Sequence, residues 1–266
     1  MKSIFRTILT LLIAISPTLA ESPRSKLSQN QTKALALIGK ALKEANTIER
    51  ELDRLRSLKF IARTQAKMGD LAEAMKTIGR IEKEATSEKT RAFCLPSAYS
   101  GIAYAQARSG DMTAAFATAE KGGSDFLEII SAQAETRGIA EAMQTVDTKI
   151  DGNKKDFALQ NISRARAQIS DFEGATQVAD TIKSESSKEA TYGSIAVIQA
   201  RKGDSVGSQR SLAKVKNSLE AKSFAKAIAD GPITEEKAST LPTAFERCDG
   251  YLNIAWILLD ADGPKG

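Results

Sequence analysis

The chain has 266 residues, 42% hydrophobic and 27% charged, the balance of a folded soluble protein rather than a disordered or membrane-embedded one. Its formal charge is +5, with Lys2 and Arg6 supplying two of those charges at the very start, and there is no dense basic stripe of the kind that marks nucleic-acid binders. It contains no histidine, which removes the commonest catalytic base and transition-metal ligand.

Residues 1–20 have the three parts of a cleavable export signal. Lys2 and Arg6 are followed by the short apolar run Ile8 to Ile15, then by Ser16-Pro17 and the small-residue site Thr18-Leu19-Ala20. The run falls short of the roughly 20 apolar residues that a membrane-spanning helix needs. The expected mature protein starts at Glu21, periplasmic or secreted, without stable membrane insertion. Residues 21–30 read as a flexible lead-in and 31–57 as an N-terminal helical cap or divergent repeat, with Ala34, Leu37, Ile38 and Ala41 at helical spacing.

From residue 58 to about 220 the chain repeats itself. The block Ile61 to Ile81 returns in register at 102–122, 162–182 and 195–215, and imperfectly from Ile130. Each copy reads as a helix, a Gly-Asp corner and a second helix. Gly69 can take the left-handed conformation that ends a helix, and Asp70 can cap the next, with Glu73 completing a capping box. Asp111, Asp171 and Asp204 recur at the same corner, so capping explains all four carboxylates better than catalysis does. In the copy from Ile130, Gly138 stands at the corner glycine and the aspartate is missing, which predicts a less well capped second helix. Gln65, Gln106 and Gln199 recur at one position and predict inter-helix hydrogen bonds. The loops between copies carry the variation in length, one containing Pro96 and another Gly152 to Lys155. Residues 221–262 read as a divergent last repeat and a C-terminal capping helix, in which Trp256 belongs to the core. Cys94 and Cys248 lie some four repeats apart; free thiols are expected, because only an array curling back on itself would bring them within the roughly 7 Å between α-carbons that a disulfide allows.

The order apolar-Ala, Gly-Asp and a further Ala, as in Ile61-Ala62, Gly69-Asp70 and Ala74, or Ile102-Ala103, Gly110-Asp111 and Ala115, resembles the tetratricopeptide repeat, as does the period of about 34 residues. The family's large aromatics are mostly replaced here, by Gln65, Gln106 and Gln199 among others, and its terminal proline is absent. The resemblance implies an all-α, right-handed solenoid of helix-turn-helix repeats whose first helices line a concave face. On that face it would place Lys59, Arg63, Lys67, Tyr104, Arg108, Gln160, Arg164 and Arg201, a largely basic set interrupted by Glu128 and Glu135. The expected function is a non-catalytic scaffold that takes a protein or peptide, preferably one carrying carboxylates, through charge-assisted hydrogen bonds. Neither a metal nor a cofactor is called for. Two other readings fit a helical-repeat array: a polysaccharide-acting enzyme or accessory protein, and an envelope component that associates with itself.

Overall fold

The computed structural model describes residues 27–152 and 154–261. The expected export signal lies outside them, as do most of the lead-in and the last five residues. The described chain is all-α and about 80% helical. Fourteen helices run in order among the described residues: α1 (Gln29–Thr47), α2 (Glu51–Lys67), α3 (Leu71–Glu84), α4 (Glu88–Arg108), α5 (Met112–Gly122), α6 (Leu127–Thr136), α7 (Ile139–Lys149), α8 (Lys154–Gln168), α9 (Phe172–Asp180), α10 (Glu185–Arg201), α11 (Ser205–Leu212), α12 (Ser218–Asp230), α13 (Glu235–Ser239) and α14 (Ala244–Ala261). Helix α1 starts two residues before its expected beginning, because Ser28 and Gln31 form a reciprocal capping box.

The corners explain where the paired helices stop and restart. Gly69, Gly110 and Gly203 sit at φ between 86° and 94°, which turns the chain sharply at little steric cost. The next residue caps the following helix: the carboxylate of Asp70 accepts the Glu73 N–H at 3.2 Å, and those of Asp111, Asp171 and Asp204 accept the N–H groups of Ala114, Gly174 and Gly207 at 2.8–2.9 Å. The capping box at the first corner is only half made, since the Glu73 side chain turns to Lys76. In the fourth copy Ser170 takes the glycine's place at φ 68°.

The imperfect copy is shifted by one residue from the expected alignment. The Gly138 N–H donates to the Gln133 carbonyl as the Asp70 N–H does to that of Gln65, so Gly138 occupies the aspartate's place. Helix α7 accordingly starts without a side-chain cap. Of the recurrent glutamines, Gln65 accepts from Thr77 Oγ1 and Gln199 from Ser211 Oγ, both at 2.7 Å. Gln106 departs from the expectation, its Oε1 being buried without a partner. Pro96, expected in a loop, lies inside α4; the helix continues although Pro96 has no N–H to give the Ala92 carbonyl.

Packing follows the chain. Helices α2, α4, α6, α8, α10 and α12 contact one another in succession, while α3, α5, α9 and α11 back α2, α4, α8 and α10, and α7 backs α6. Small residues permit the close approach between neighbours. A Cβ built on Gly101 of α4 would stand 2.9 Å from the Arg63 Cα of α2, so any side chain there would push the two helices apart. Ala62, Ala74, Ala103, Ala115, Ala175 and Ala196 are all essentially inaccessible.

The C-terminal helix does not cap the far end. Helix α14 packs along α1 and against α2, at the opposite end of the chain. Its Cys248, Tyr251, Leu252, Ala255 and Leu259 join one buried cluster with Leu37, Ile38 and Ala41 of α1 and Leu55 and Leu58 of α2. It stands to α1 and α2 as α2 stands to α3 and α4, supplying α1 with a packing partner. Only four residues separate α12 from α13, a reach of roughly 15 Å, and Ile233 in that linker packs on the same cluster while Glu235 pairs with Lys40 of α1. The chain therefore closes on its own beginning. Cys94 and Cys248 are consequently buried in one cluster, and both are free. Burial pushes the Cys248 thiol up to about 11.

Candidate functional site: a cavity on the inner layer

Helices α2, α4, α6, α8 and α14 together line a cavity of about 340 Å³ that opens to solvent. Phe60, Arg63 and Lys67 line it from α2, Tyr104 from α4, Ser131 with Glu128 and Glu135 from α6, and Asn161, Arg164, Ala165 and Gln168 from α8. Asp249, Leu252, Asn253 and Trp256 close it from α14. Helices α2, α6, α8 and α14 contribute side chains three or four residues apart, the spacing that keeps them on one helical face.

Of the residues expected on the inner face, this cavity brings together Arg63, Lys67, Tyr104 and Arg164. Gln160 lies beside it in a smaller polar niche with Asn161, Arg164, Thr191 and Ser194. Arg108 stands behind the wall, and Arg201 is exposed at the end of α10, lining neither. Lys59 is buried elsewhere, its Nζ 4.7 Å from the Phe60 ring centroid and 5.0 Å from that of Phe93, and burial lowers its pKa.

Half of the basic set expected from sequence, Arg63, Lys67 and Arg108, is neutralised within the chain. Arg63 pairs with Glu128 and donates to Ser97 Oγ at 3.2 Å. Lys67, its side chain only 2% exposed, pairs with Asp260 of α14 and sits 4.1 Å from the Trp256 ring centroid, a cation held between an acid and an aromatic face. Tyr104 donates its hydroxyl to Glu135 at 2.7–2.8 Å, and Arg108 Nε reaches the same carboxylate at 3.3 Å. Burial raises both partners of that contact: the Tyr104 hydroxyl is held well above its ordinary range, and Glu135 is pushed up in spite of the Tyr104 hydrogen bond and the Arg108 charge. The two glutamates that seemed to interrupt a basic set are thus the counter-charges that fix it.

Two charged groups on the cavity wall have no opposite charge assigned to them. Arg164 is exposed, with the Asn161 side-chain oxygen at 2.7 Å as its hydrogen-bond partner. Asp249 lines the cavity from α14 and is exposed to solvent, so only the part of its surface turned to the protein loses water and raises its carboxyl above the ordinary range.

Trp256 is not the core residue its helical face suggested. Its Nε1 donates to Thr64 Oγ1 at 2.8 Å, while its ring forms part of the wall beneath Lys67 and Arg63. Asn161 and Gln168 could have been read from sequence, since they hold in the fourth copy the places of Phe60 and Lys67 in the first. The α14 residues could not: nothing local announces that this helix returns to α2. Among the described residues no group of three or more His, Cys, Asp or Glu side chains is arranged to hold a metal ion, and no helix is long and apolar enough to cross a membrane. No protein-family model matches the chain, and no curated protein or solved structure matches it either.

Proposed function

We propose that the protein is an exported, non-catalytic binding module, a tetratricopeptide-like right-handed array whose inner layer takes a peptide segment of a partner protein. The observation that carries this reading is the cavity itself. Five helices from both ends of the chain converge on it, and it keeps one exposed guanidinium, Arg164, free of any carboxylate. An arginine in that state is suited to bidentate recognition of a carboxylate. Phe60 and Trp256 supply apolar surface beside it, the mixture that ligand sites use. The leader supports export, and the recurrent corner and alanine positions support the repeat assignment.

Hydrolysis of polysaccharide is less well supported. Glycoside hydrolysis by the usual route needs two carboxyl groups facing the scissile bond. Here Glu128 is tied to Arg63, and Glu135 to Tyr104 and Arg108, leaving Asp249 without a free acidic partner. The test is affinity capture from the native envelope with wild type and Arg164→Glu. Loss of specific partners in the variant supports the proposal; identical partner sets refute it. Arg164 is the right residue to change because, unlike Arg63 or Lys67, it holds no part of the fold together.

A further inference from the structure

Helix α2 buries two lysines, and only Lys67 has a carboxylate to answer it. Lys59 is 9% exposed and has neither an ion pair nor a hydrogen bond among the described residues. Its surroundings are aromatic and cationic. Its Nζ lies 4.7 Å from the Phe60 ring centroid and 5.0 Å from that of Phe93, and the Phe93 ring also carries Arg56, with Cζ at 5.2 Å. The two charges over one ring are thus no more than about 10 Å apart. Burial lowers the Lys59 pKa, and the Arg63 and Arg56 charges add to that shift. The acids of this region are committed elsewhere. Asp53 stands 3.8 Å from Arg56, beyond hydrogen-bond reach, and 3.4 Å from Arg50. Glu51 takes the N–H and hydroxyl of Thr86 at 3.0 and 2.6 Å, and Glu128 holds Arg63. A buried ammonium costs stability unless something answers its charge.

We infer that Lys59 and Arg56, gathered on Phe93, form a second binding site that takes a phosphoryl group. It stands apart from the Arg164 cavity and does not depend on it. Arg56 and Lys59 lie three residues apart, on one face of α2. Phe93 is 48% exposed, so the cations on its ring sit at the surface rather than in the core. A carboxylate brings a single negative charge and would answer one of the two cations. A phosphoryl group brings about −1.5 to −2 near neutral pH and three acceptor oxygens, enough for both. The planar Arg56 guanidinium can take two of those oxygens, and Lys59 the third as a point charge. Phe93 also walls a recess of about 460 Å³ with Ser97, Ser124 and Lys154, which leaves room for whatever carries the phosphoryl group. Two acids line that recess, but Glu128 is tied to Arg63 and Asp125 accepts the Leu127 N–H at 3.3 Å.

The experiment titrates the full mature chain by calorimetry, at fixed ionic strength, with inorganic phosphate, acetate and N-acetyl-phosphoserine amide. Wild type is compared with Lys59→Met, Arg56→Gln and Arg164→Gln. At least one phosphoryl probe should bind, acetate should bind at least about tenfold more weakly, and Lys59→Met and Arg56→Gln should each weaken phosphoryl binding at least about tenfold. Arg164→Gln should leave it unchanged. Tighter binding of the phosphoserine probe marks an organic monophosphate as the source, and equal binding the free ion; both support the site. Lys59→Met keeps the buried stem, and circular dichroism with thermal melting checks its fold; Arg56→Gln alters a side chain 40% exposed and carries the test if Lys59→Met does not fold. Absence of phosphoryl binding by folded wild type overturns the inference, as does binding that Arg56→Gln leaves intact. Equal affinity for acetate overturns the phosphoryl assignment, and loss of binding in Arg164→Gln moves the anion to the cavity and overturns the second site. If phosphate fails to bind while partner capture still depends on Arg164, the proposed function survives and this site does not.

Discussion

Replacing Leu252 by alanine tests whether α14 is structural to the N-terminal end. Leu252 is 3% exposed and belongs to the cluster that joins α14 to α1 and α2. Truncating a buried leucine removes its transfer free energy and leaves a void that its surroundings fill only in part, at a cost of about 2–5 kcal/mol. In a chain of this size each kcal/mol lowers the melting temperature by roughly 2–4 °C, so a fall on the order of 5–15 °C is expected. The location of the loss matters more than its size. In repeat arrays each unit is stabilised by its neighbours, so the damage should fall first on α1, whose Ala34, Leu37, Ile38 and Ala41 α14 helps to cover. Native-state hydrogen exchange should therefore speed up across Gln29–Thr47 before it does in α8 or α9. Unchanged protection in α1, with a melting temperature within a degree of wild type, would refute the closure of the chain through α14.

Four further substitutions test the corners and the buried carboxylate. Ser170→Gly should stabilise by about 1 kcal/mol in urea titration, because it removes a Cβ from a left-handed backbone position; a neutral or destabilising result would contradict the strain. Asp111→Ala and Asp171→Ala should each cost about 1 kcal/mol as lost N-caps, with Asp171 costing more because Arg166 Nε also donates to it at 2.6 Å. Burial opposes the Asp171 charge, but the Gly174 N–H and Arg166 outweigh it and depress the carboxyl's pKa, so its contribution is present above the unfolded value near 3.8 and should fade as pH falls through the lower folded value. A penalty constant with pH would count against the pairing. Glu135 runs the other way: burial raises its pKa, so the charged form becomes a liability as pH rises from about 4.5 through the folded value. The stability of Glu135→Gln relative to wild type should therefore improve over that rise, and denaturant titrations across it check the sign.

The helix pairs were legible because their signals are local. A glycine followed by aspartate fixes a corner by backbone geometry and capping, and alanine at recurring positions reports close packing; both need only a few neighbouring residues. The shifted third copy was harder to place, since two adjacent isoleucines, Ile129 and Ile130, are both fully buried and only the Gly138 hydrogen bond to Gln133 decides the register. Of the eight residues expected on the inner face, the cavity brings together Arg63, Lys67, Tyr104 and Arg164, and Arg63 and Lys67 are already paired there. Arg63 and Glu128, or Lys67 and Asp260, meet through the superposition of helices, which spacing along the chain does not encode. The return of α14 was the least legible feature. Its apolar face is compatible with capping either end, and the choice depends on how far the array curves. That curvature also decides why Cys94 and Cys248 share a core.

The most direct test of the account is a hydrogen–deuterium exchange footprint of the protein with its captured partner or peptide. Binding at the cavity should add protection on the cavity-facing segments of α2, α4, α6, α8 and α14, lost in Arg164→Glu. Protection confined to the outer helices α3, α5, α7 and α9, with the inner segments unchanged, would contradict it.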